Sequence, residues 1–597
     1  MPLAALLACS AELIGDASPD PVPNDAGVDA ATPEGAADAE KTCGGPCAPS
    51  CTLYVSASTG DDANDGCTNN HPKKTLAGTI ALASNANVEG LEIRACAGIY
   101  REASLSLSAP VSLRGGYDCV SWARDGGFGA AGRFTSKSVT RIEGNSPKQP
   151  ETLVVTGPKI TRAVELEGLA IVGQATEAGP SIAVRVTTDA APSILDTEIL
   201  GGTASNPGGA SSIGLGVYSA RPEVARCRIT GGAGLGTVGS IGAYLSNAGG
   251  IYRDSVIASG TGVGTGVGGF GLEVVSGFDE LIRIENNLVL MEAASSGTRP
   301  AIGVGLYSNR VDFIGNRIFG ATTKTMGSAT AGNMGILVSG NNIAARIDRN
   351  VVHVGDVDAL QTGYLWGIFV VNAIATRITN NLVHTGGDTS TGADIRHYGV
   401  SATDSVNTRI IGNTILAGVG QANASLRTGV YAAAGTGKLS GLVVDANVIM
   451  TLGGANDVGL ERSACKMETF TSVSRNLFVG TSNAYLERSA PGCVAVKQST
   501  VKEMEVALGT GATSNIERYA GGGTCETAAA CADLVFTDWG LHRADLERAG
   551  TFRLEKPGAC DAAKGGALVQ VGGERDLAGV MRTMPVSIGA YEDDGCP

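Results

Sequence analysis

The chain has 597 residues, of which 43% are hydrophobic but only 5% aromatic, and its 86 glycines point to many short strands and tight turns packed on aliphatic side chains rather than to a helical globule. A formal net charge of −14 repels nucleic acid and anionic lipid, so no nucleic-acid partner is expected. No stretch after the first residues reaches the 18 or more uninterrupted apolar residues of a membrane-spanning helix.

Residues 1–9 form a brief apolar run in which Leu6-Leu7-Ala8 precedes Cys9, a pattern that resembles a bacterial lipoprotein signal with lipid carried on Cys9. Residues 10–42 hold Pro19, Pro21, Pro23 and Pro33 among many alanines and acids, with Lys41 the only base. Such a segment cannot bury a core and is expected to be a disordered tether with a span of roughly 30 Å. A solenoid is expected over residues 43–460, and its final coils with a cysteine-rich closing region over 461–597. Of the 14 cysteines, six fall between Cys43 and Cys119 and six between Cys465 and Cys596, with Cys227 alone between the sets. Even sets at both ends read as disulfides, of open connectivity, formed in an oxidising, extracytoplasmic compartment. Cys227 reads as a small buried apolar residue.

Near the start, Lys74 to Ser84 has helical composition with Leu76, Ile80 and Ala83 on one face, suited to covering the first coil. Asp61, Asp62, Asn64 and Asp65 miss the spacing of a calcium-binding loop and read as turn and capping residues. Less regular coils follow at Leu91 to Ala95, Val111 to Arg114, Thr152 to Thr156 and Glu165 to Gly173.

From there a repeat sets the fold. Glycines 242, 271, 303, 335, 367, 399, 429 and 459 each open a strand, at separations of 29 to 32 residues. A second marker recurs at Asn287, Asn316, Asn350, Asn381, Asn413, Asn447 and Asn476, each followed two residues later by Val289, Ile318, Val352, Val383, Ile415, Ile449 or Phe478. An always-apolar position beside variable neighbours marks an inward column, and an inward Asn at a corner can bond the backbone and the Asn of the next rung. The prediction is an all-β, right-handed parallel β-helix of about twelve coils, a rod of roughly 50 to 60 Å at about 4.8 Å per rung.

Two columns carry candidate chemistry. Arg283, Asp312, Arg346, Arg377 and Arg409 stand four residues before successive asparagines. Stacked arginines either pair with Glu285 and Asp348 in a salt-bridged ladder or, as Arg346, Arg377 and Arg409, form a basic stripe for carboxylates or sulfates of an acidic glycan. Three residues after the asparagines, His353 and His384 fall on adjacent rungs with Asp356 and Asp388 close behind. They are the candidate acid–base or metal residues, but the rest of their column is apolar, which favours packing.

With these residues in hand the chain resembles the right-handed parallel β-helix proteins of the pectate-lyase-like superfamily, in particular DUF1565-type bacterial surface lipoproteins. The resemblance rests on Leu53-Tyr-Val-Ser56 through Gly66 with Pro72-Lys-Lys-Thr75, on Leu113-Arg-Gly-Gly-Tyr117 through Asp125, and on a closing pattern of Asp576-Leu-Ala-Gly579, Arg582 and Ile588-Gly-Ala-Tyr-Glu592. It implies a scaffold, and scaffold does not dictate function. Lyases of this superfamily abstract a sugar proton with Lys, Arg or His beside calcium. Here no lysine occurs between Lys324 and Lys438, and neither a dense acid cluster nor a repeated close carboxylate pair is evident. The expectation is therefore a lipid-anchored, cell-surface β-helix protein without catalysis or cofactor, serving adhesion, glycan contact or envelope structure. A polysaccharide lyase or glycoside hydrolase acting on an acidic, uronate-containing glycan is the alternative.

Overall fold

The computed structural model describes residues 51–518, less short internal segments of which the longest are 125–137 and 292–300. The Cys465 to Cys596 cluster and the closing pattern at 576–592 lie outside the described residues, as do Cys9 and the 10–42 segment.

Each coil places three strands around an aliphatic core. In one coil these are Gly363–Val371, Arg377–Thr379 and Leu382–His384, followed by the short strand Gly387–Asp388. Every such strand pairs in parallel with its equivalent one coil on, for example Ile368 with Val400, Ile378 with Ile410 and Val383 with Ile415. The third strands alone build a fourteen-stranded parallel sheet. At about 4.8 Å per strand that is roughly 60 Å of stack. The fold is thus the expected all-β parallel solenoid, with a coil count slightly different from the expected twelve or so.

The two sequence markers are parts of one corner geometry. A Cβ on Gly367 would lie 2.2 Å from Val383 Cγ1 and 2.4 Å from the carbonyl of Gly399, and Gly335, Gly399 and Gly429 are hemmed in the same way. The marker glycine therefore exists because the first strand turns inward against the Val or Ile that follows the asparagine. The asparagines form the expected ladder: Asn350 Nδ2 donates to Asn381 Oδ1 at 2.9 Å, Asn381 Nδ2 to Asn413 Oδ1 at 2.9 Å, and Asn413 Nδ2 to Asn447 Oδ1 at 3.0 Å. Each Oδ1 also accepts the backbone N–H of the previous asparagine, as Asn381 does from Asn350 at 2.9 Å. The ladder runs one step beyond the repeat, to Asn515, which ends on Glu505 at 2.9 Å.

The residue before each ladder position is left-handed, as at Arg349 (φ 55°), Asn380 (φ 57°), Ala446 (φ 52°) and Arg475 (φ 55°). The bend needs that conformation, and the buried amide satisfies the backbone groups that the bend would orphan. Upstream the same column holds Thr197, Cys227 and Ser255. Cys227 is buried as expected, but it is a ladder member rather than plain filler. Its thiol contacts the carbonyls of Ile194 and Ala225 at 3.3 Å, and burial pushes its pKa up to about 12.

Both described ends of the stack are covered. The helix Leu76–Ala86 buries Leu76, Ile80 and Ala83 against the first coil. Asp62 Oδ1 accepts the N–H groups of Lys74 and Thr75 just ahead of it. Cys96 and Cys119 form a disulfide, and Cys51 and Cys67 are also disulfide-bonded. At the other end the strand Val496–Gln498 returns antiparallel to Asn483–Glu487 and leads into the helix Val501–Leu508, which is closed by a Thr500–Glu503 capping box. The antiparallel strand covers the edge of the last first strand, while beyond the helix Ala512–Thr513 and Ile516–Arg518 still pair in parallel with the coil before them.

Candidate functional site

Turning inward at the corner glycine makes two successive residues, the glycine and the next, face the core, and this reverses the alternation on either side. Residues three before, one before, two after and four after the glycine then point out of the coil. They form a second apolar cluster, separate from the core, that includes Phe270, Ile302, Met334, Leu337, Trp366, Phe369 and Tyr398, with Tyr218, Tyr244, Tyr307, Tyr364 and Tyr431 half-buried at its surface. In a chain with only 3 Trp, 13 Tyr and 11 Phe, nine aromatic rings share this one lateral face.

The rings lie in register. Trp366 stacks on Tyr364 (centroids 5.0 Å apart, planes 9° apart) and on Phe369 (5.7 Å, 15°), and Tyr398 meets Tyr431 at 4.7 Å. Glycines allow some rings to lie flat: a Cβ at Gly216 would meet Tyr218 Cε2 at 2.8 Å, and one at Gly305 would meet Tyr307 Cε2 at 2.9 Å. Arginines extend the face, with Arg185 over Tyr218 at 4.9 Å and Arg396 over Tyr364 at 5.7 Å.

Among the described residues its carboxylates are ion-paired with one exception. Glu151 takes Arg185 at 2.7 Å, and the fully buried Glu461 takes Arg488 and the hydroxyl of Thr428. Glu273 stands beside Tyr244 on one side and Gly305 on the other, with no cationic partner among the described residues. Burial among the rings pushes its pKa up to about 7. Glu273 is half-buried by surface, and removing its carboxyl from water disfavours the charged form.

Where the antiparallel strand folds back, the face ends in a cavity of about 360 Å³ lined by Arg396, Leu426, Asn456, Val458, Asn483, Leu486, Arg488 and Lys497. Inside the coil behind it, Arg427 and Asp457 form a fully buried ion pair at 3.3 Å. A second cavity, about 480 Å³, is a glycine-floored groove along Gly173, Gly201, Gly202, Gly231 and Gly232, with no charged group in its lining.

The arginine column stacks as the spacing predicts, Asp312 against Arg346, Arg346 against Arg377 and Arg377 against Arg409. Asp348 is its hub, accepting from Arg346 at 3.0 Å, Arg349 at 3.2 Å and Thr379 at 2.7 Å. Burial and the neighbouring Arg346 and Arg409 lower the pKa of Arg377. His353 and His384 are also adjacent, with ring centroids 4.7 Å apart, and Gly355 N–H donates to His353 Nδ1 at 3.1 Å. Part of His384 reaches the surface, yet both of its ring nitrogens are buried and unpartnered. Burial and the nearby His353 and His397 hold its pKa well below the ordinary histidine value. In this state the imidazole is neutral. Asp356 and the side chain of Asp388 lie outside the described residues. Among the described residues no group of three or more His, Cys, Asp or Glu side chains is placed to hold a metal ion, and no helix is long and apolar enough to cross a membrane.

The aromatic face is absent from the sequence-based candidates. A signal for it exists in the bulky residue just ahead of most marker glycines, namely Ile241, Phe270, Ile302, Met334, Trp366 and Tyr398. Simple alternation assigns no consistent face to that position.

A parallel β-helix with one aromatic lateral face is the class of protein defined here. No family model matches the chain, and no curated protein does. Among solved structures it is similar to the A-module of the Azotobacter vinelandii mannuronan C-5 epimerase, at 14% identity over 74% of this chain and 95% of that one, with a TM-score of 0.34. A GH136 lacto-N-biosidase from Eubacterium ramulus (11% identity, 78% and 67% covered, TM-score 0.18) and tailspike protein 3 of bacteriophage CBA120 (8%, 75% and 68%, TM-score 0.18) also align. Superpositions this loose transfer no residue's role to this chain.

Proposed function

We propose that the protein is a glycan-binding β-helix that acts without catalysis, holding a sugar chain along the aromatic lateral face. The observation that carries the reading is the row of half-buried tyrosines 218, 244, 307, 364 and 431 on top of the buried ring cluster, interleaved with Arg185 and Arg396. Pyranose rings present C–H faces that pack on aromatic rings and hydroxyl edges that hydrogen-bond, and a site mixing flat apolar surface with a few fixed polar groups matches both. The disulfides, the lipoprotein-like Cys9 and the 10–42 segment support display outside the cytoplasm on a lipid anchor, as in DUF1565-type surface lipoproteins, with adhesion or envelope contact as the role. Glycan-array screening of the full chain followed by calorimetry tests the binding. Tyr431→Ala and Tyr244→Ala should each weaken the selected glycan about tenfold or more, about 1.4 kcal/mol. Binding unchanged in both variants would overturn the reading. Replacing Cys9 with Ala should move the protein from the membrane to the soluble fraction.

Glu273 favours a second reading, in which the same face cleaves an acidic, uronate-containing chain. A carboxyl that keeps its proton near neutral pH can act as a general acid. Turnover of a uronate polymer that disappears in Glu273→Gln would establish it.

A further inference from the structure

Among the residues two after the marker glycines, Tyr244, Glu273 and Gly305 pair in register on successive coils. Gly305 leaves a gap that rings fill: a Cβ there would lie 2.9 Å from Phe270 Cε1 and 2.9 Å from Tyr307 Cε2. Glu273 therefore stands between two tyrosines, Tyr244 on one flank and the ring of Tyr307, lying over Gly305, on the other. Burial first, and the Glu273 charge after it, raise the pKa of both tyrosine hydroxyls, which places them within the field of its carboxyl. No ion pair or hydrogen bond among the described residues reaches that carboxyl, and its outer edge is open to solvent.

An unanswered carboxyl between ring faces is complementary to a cation, because the carboxylate supplies opposite charge and the face of each ring attracts positive charge through its quadrupole. A uronate in the same place would force the carboxyl to keep its proton. The arginines of this face are remote. Arg185 lies three coils away through Gly216 and Tyr244, and Arg396 four coils away through Gly305, Leu337 and Phe369. At about 4.8 Å per coil these separations are roughly 14 and 19 Å, beyond the screening length of about 8 Å at physiological salt.

We propose that Glu273, between the rings of Tyr244 and Tyr307, is an ammonium subsite of the glycan-binding face, which takes a glycan carrying unacetylated amino sugars. The pyranose packs on Tyr244, while its protonated amine donates to the Glu273 carboxylate and lies against the ring of Tyr307. The inference rests on the glycan-binding reading and names the substrate class of that site. Acetylation removes the charge and turns the amine into a neutral amide, so an N-acetylated sugar forfeits both the ion pair and the cation–ring attraction.

The test uses calorimetry at neutral pH on the full chain with matched oligosaccharides, glucosamine and galactosamine oligomers and their N-acetylated forms. The amino member of at least one pair should bind about tenfold or more tightly than its acetylated counterpart. Because a chain of net charge −14 attracts any polycation, the decisive reading is the ratio within each pair in two variants. Glu273→Gln keeps the size of the acid and should bring that ratio to within about twofold. Glu198→Gln makes the same charge change on the sheet of third strands, away from the aromatic face, and should leave the ratio as in the parent. Equal binding within every pair, a ratio that survives Glu273→Gln, or one that Glu198→Gln lowers as much would overturn the ammonium subsite and leave the glycan-binding face standing. Capture of some other glycan with no binding of either amino oligomer would do the same. If nothing on the glycan array binds, both readings fall together.

Discussion

Glu273 offers the sharpest thermodynamic test of the lateral face. Its folded-state pKa of about 7 lies above the 4.5 of a free glutamate, so the folded protein holds a proton there that the unfolded chain gives up between those values. The associated stability is fully present below about pH 4.5 and is lost as pH rises through 7. A shift of that size corresponds to about 3 kcal/mol, which falls to roughly 2 kcal/mol once the half-exposed edge of the side chain is allowed for. Glu273→Gln is a neutral isostere of the protonated acid. The variant and the parent should therefore have equal denaturation midpoints near pH 4.5, and the variant should be the more stable by roughly 2 kcal/mol at pH 8.5. Urea titrations followed by intrinsic fluorescence at the two pH values measure the difference, and taking variant minus parent cancels every other titrating group. A gap that fails to grow with pH, or that shrinks, would show that Glu273 is solvated or paired and would remove the argument for an enclosed aromatic face.

Other consequences bear on the scaffold. Asn381→Ala removes the acceptor of the Asn350 N–H and the donor to the Ile347 carbonyl, and should cost roughly 3 kcal/mol, with faster amide exchange at Asn350 as the local readout. Ala446 is held at φ 52°, so Ala446→Gly should raise the denaturation midpoint, by an equivalent of about 0.5–1 kcal/mol. Asp457→Ala removes the carboxylate paired with the fully buried Arg427 and should cost about 3–5 kcal/mol, seen as a large drop in melting temperature.

Much of the fold was legible because a stack of coils repeats its constraints. Asn350, Asn381 and Asn413 recur since each must meet the next, and Gly335, Gly367 and Gly399 recur since a Cβ there would collide with the following coil. The capping helix was legible from Leu76, Ile80 and Ala83 on one face. Coils before Gly242 were harder to count, because Thr197, Cys227 and Ser255 do the corner asparagine's work with different side chains. The lateral face stayed hidden for a geometric reason: one extra inward residue at each corner glycine sends Trp366 and Tyr398 outward, and a reversal of parity leaves no mark in a period-two pattern. The cavity at the end of that face draws on residues about a hundred positions apart, including Lys497 from a strand that runs against the repeat. The arginine column could be placed from spacing, but only the register shows that Asp348 accepts from Arg346, Arg349 and Thr379 together.

Covalent footprinting of the full chain with and without a saturating, array-selected oligosaccharide tests most directly where the sugar lies. Protection should concentrate on the half-buried tyrosines 218, 244, 307, 364 and 431 and run on to Arg396 and Lys497. Protection centred instead on Arg346, Arg377 and Arg409, with those tyrosines labelled as in the free protein, would contradict the account.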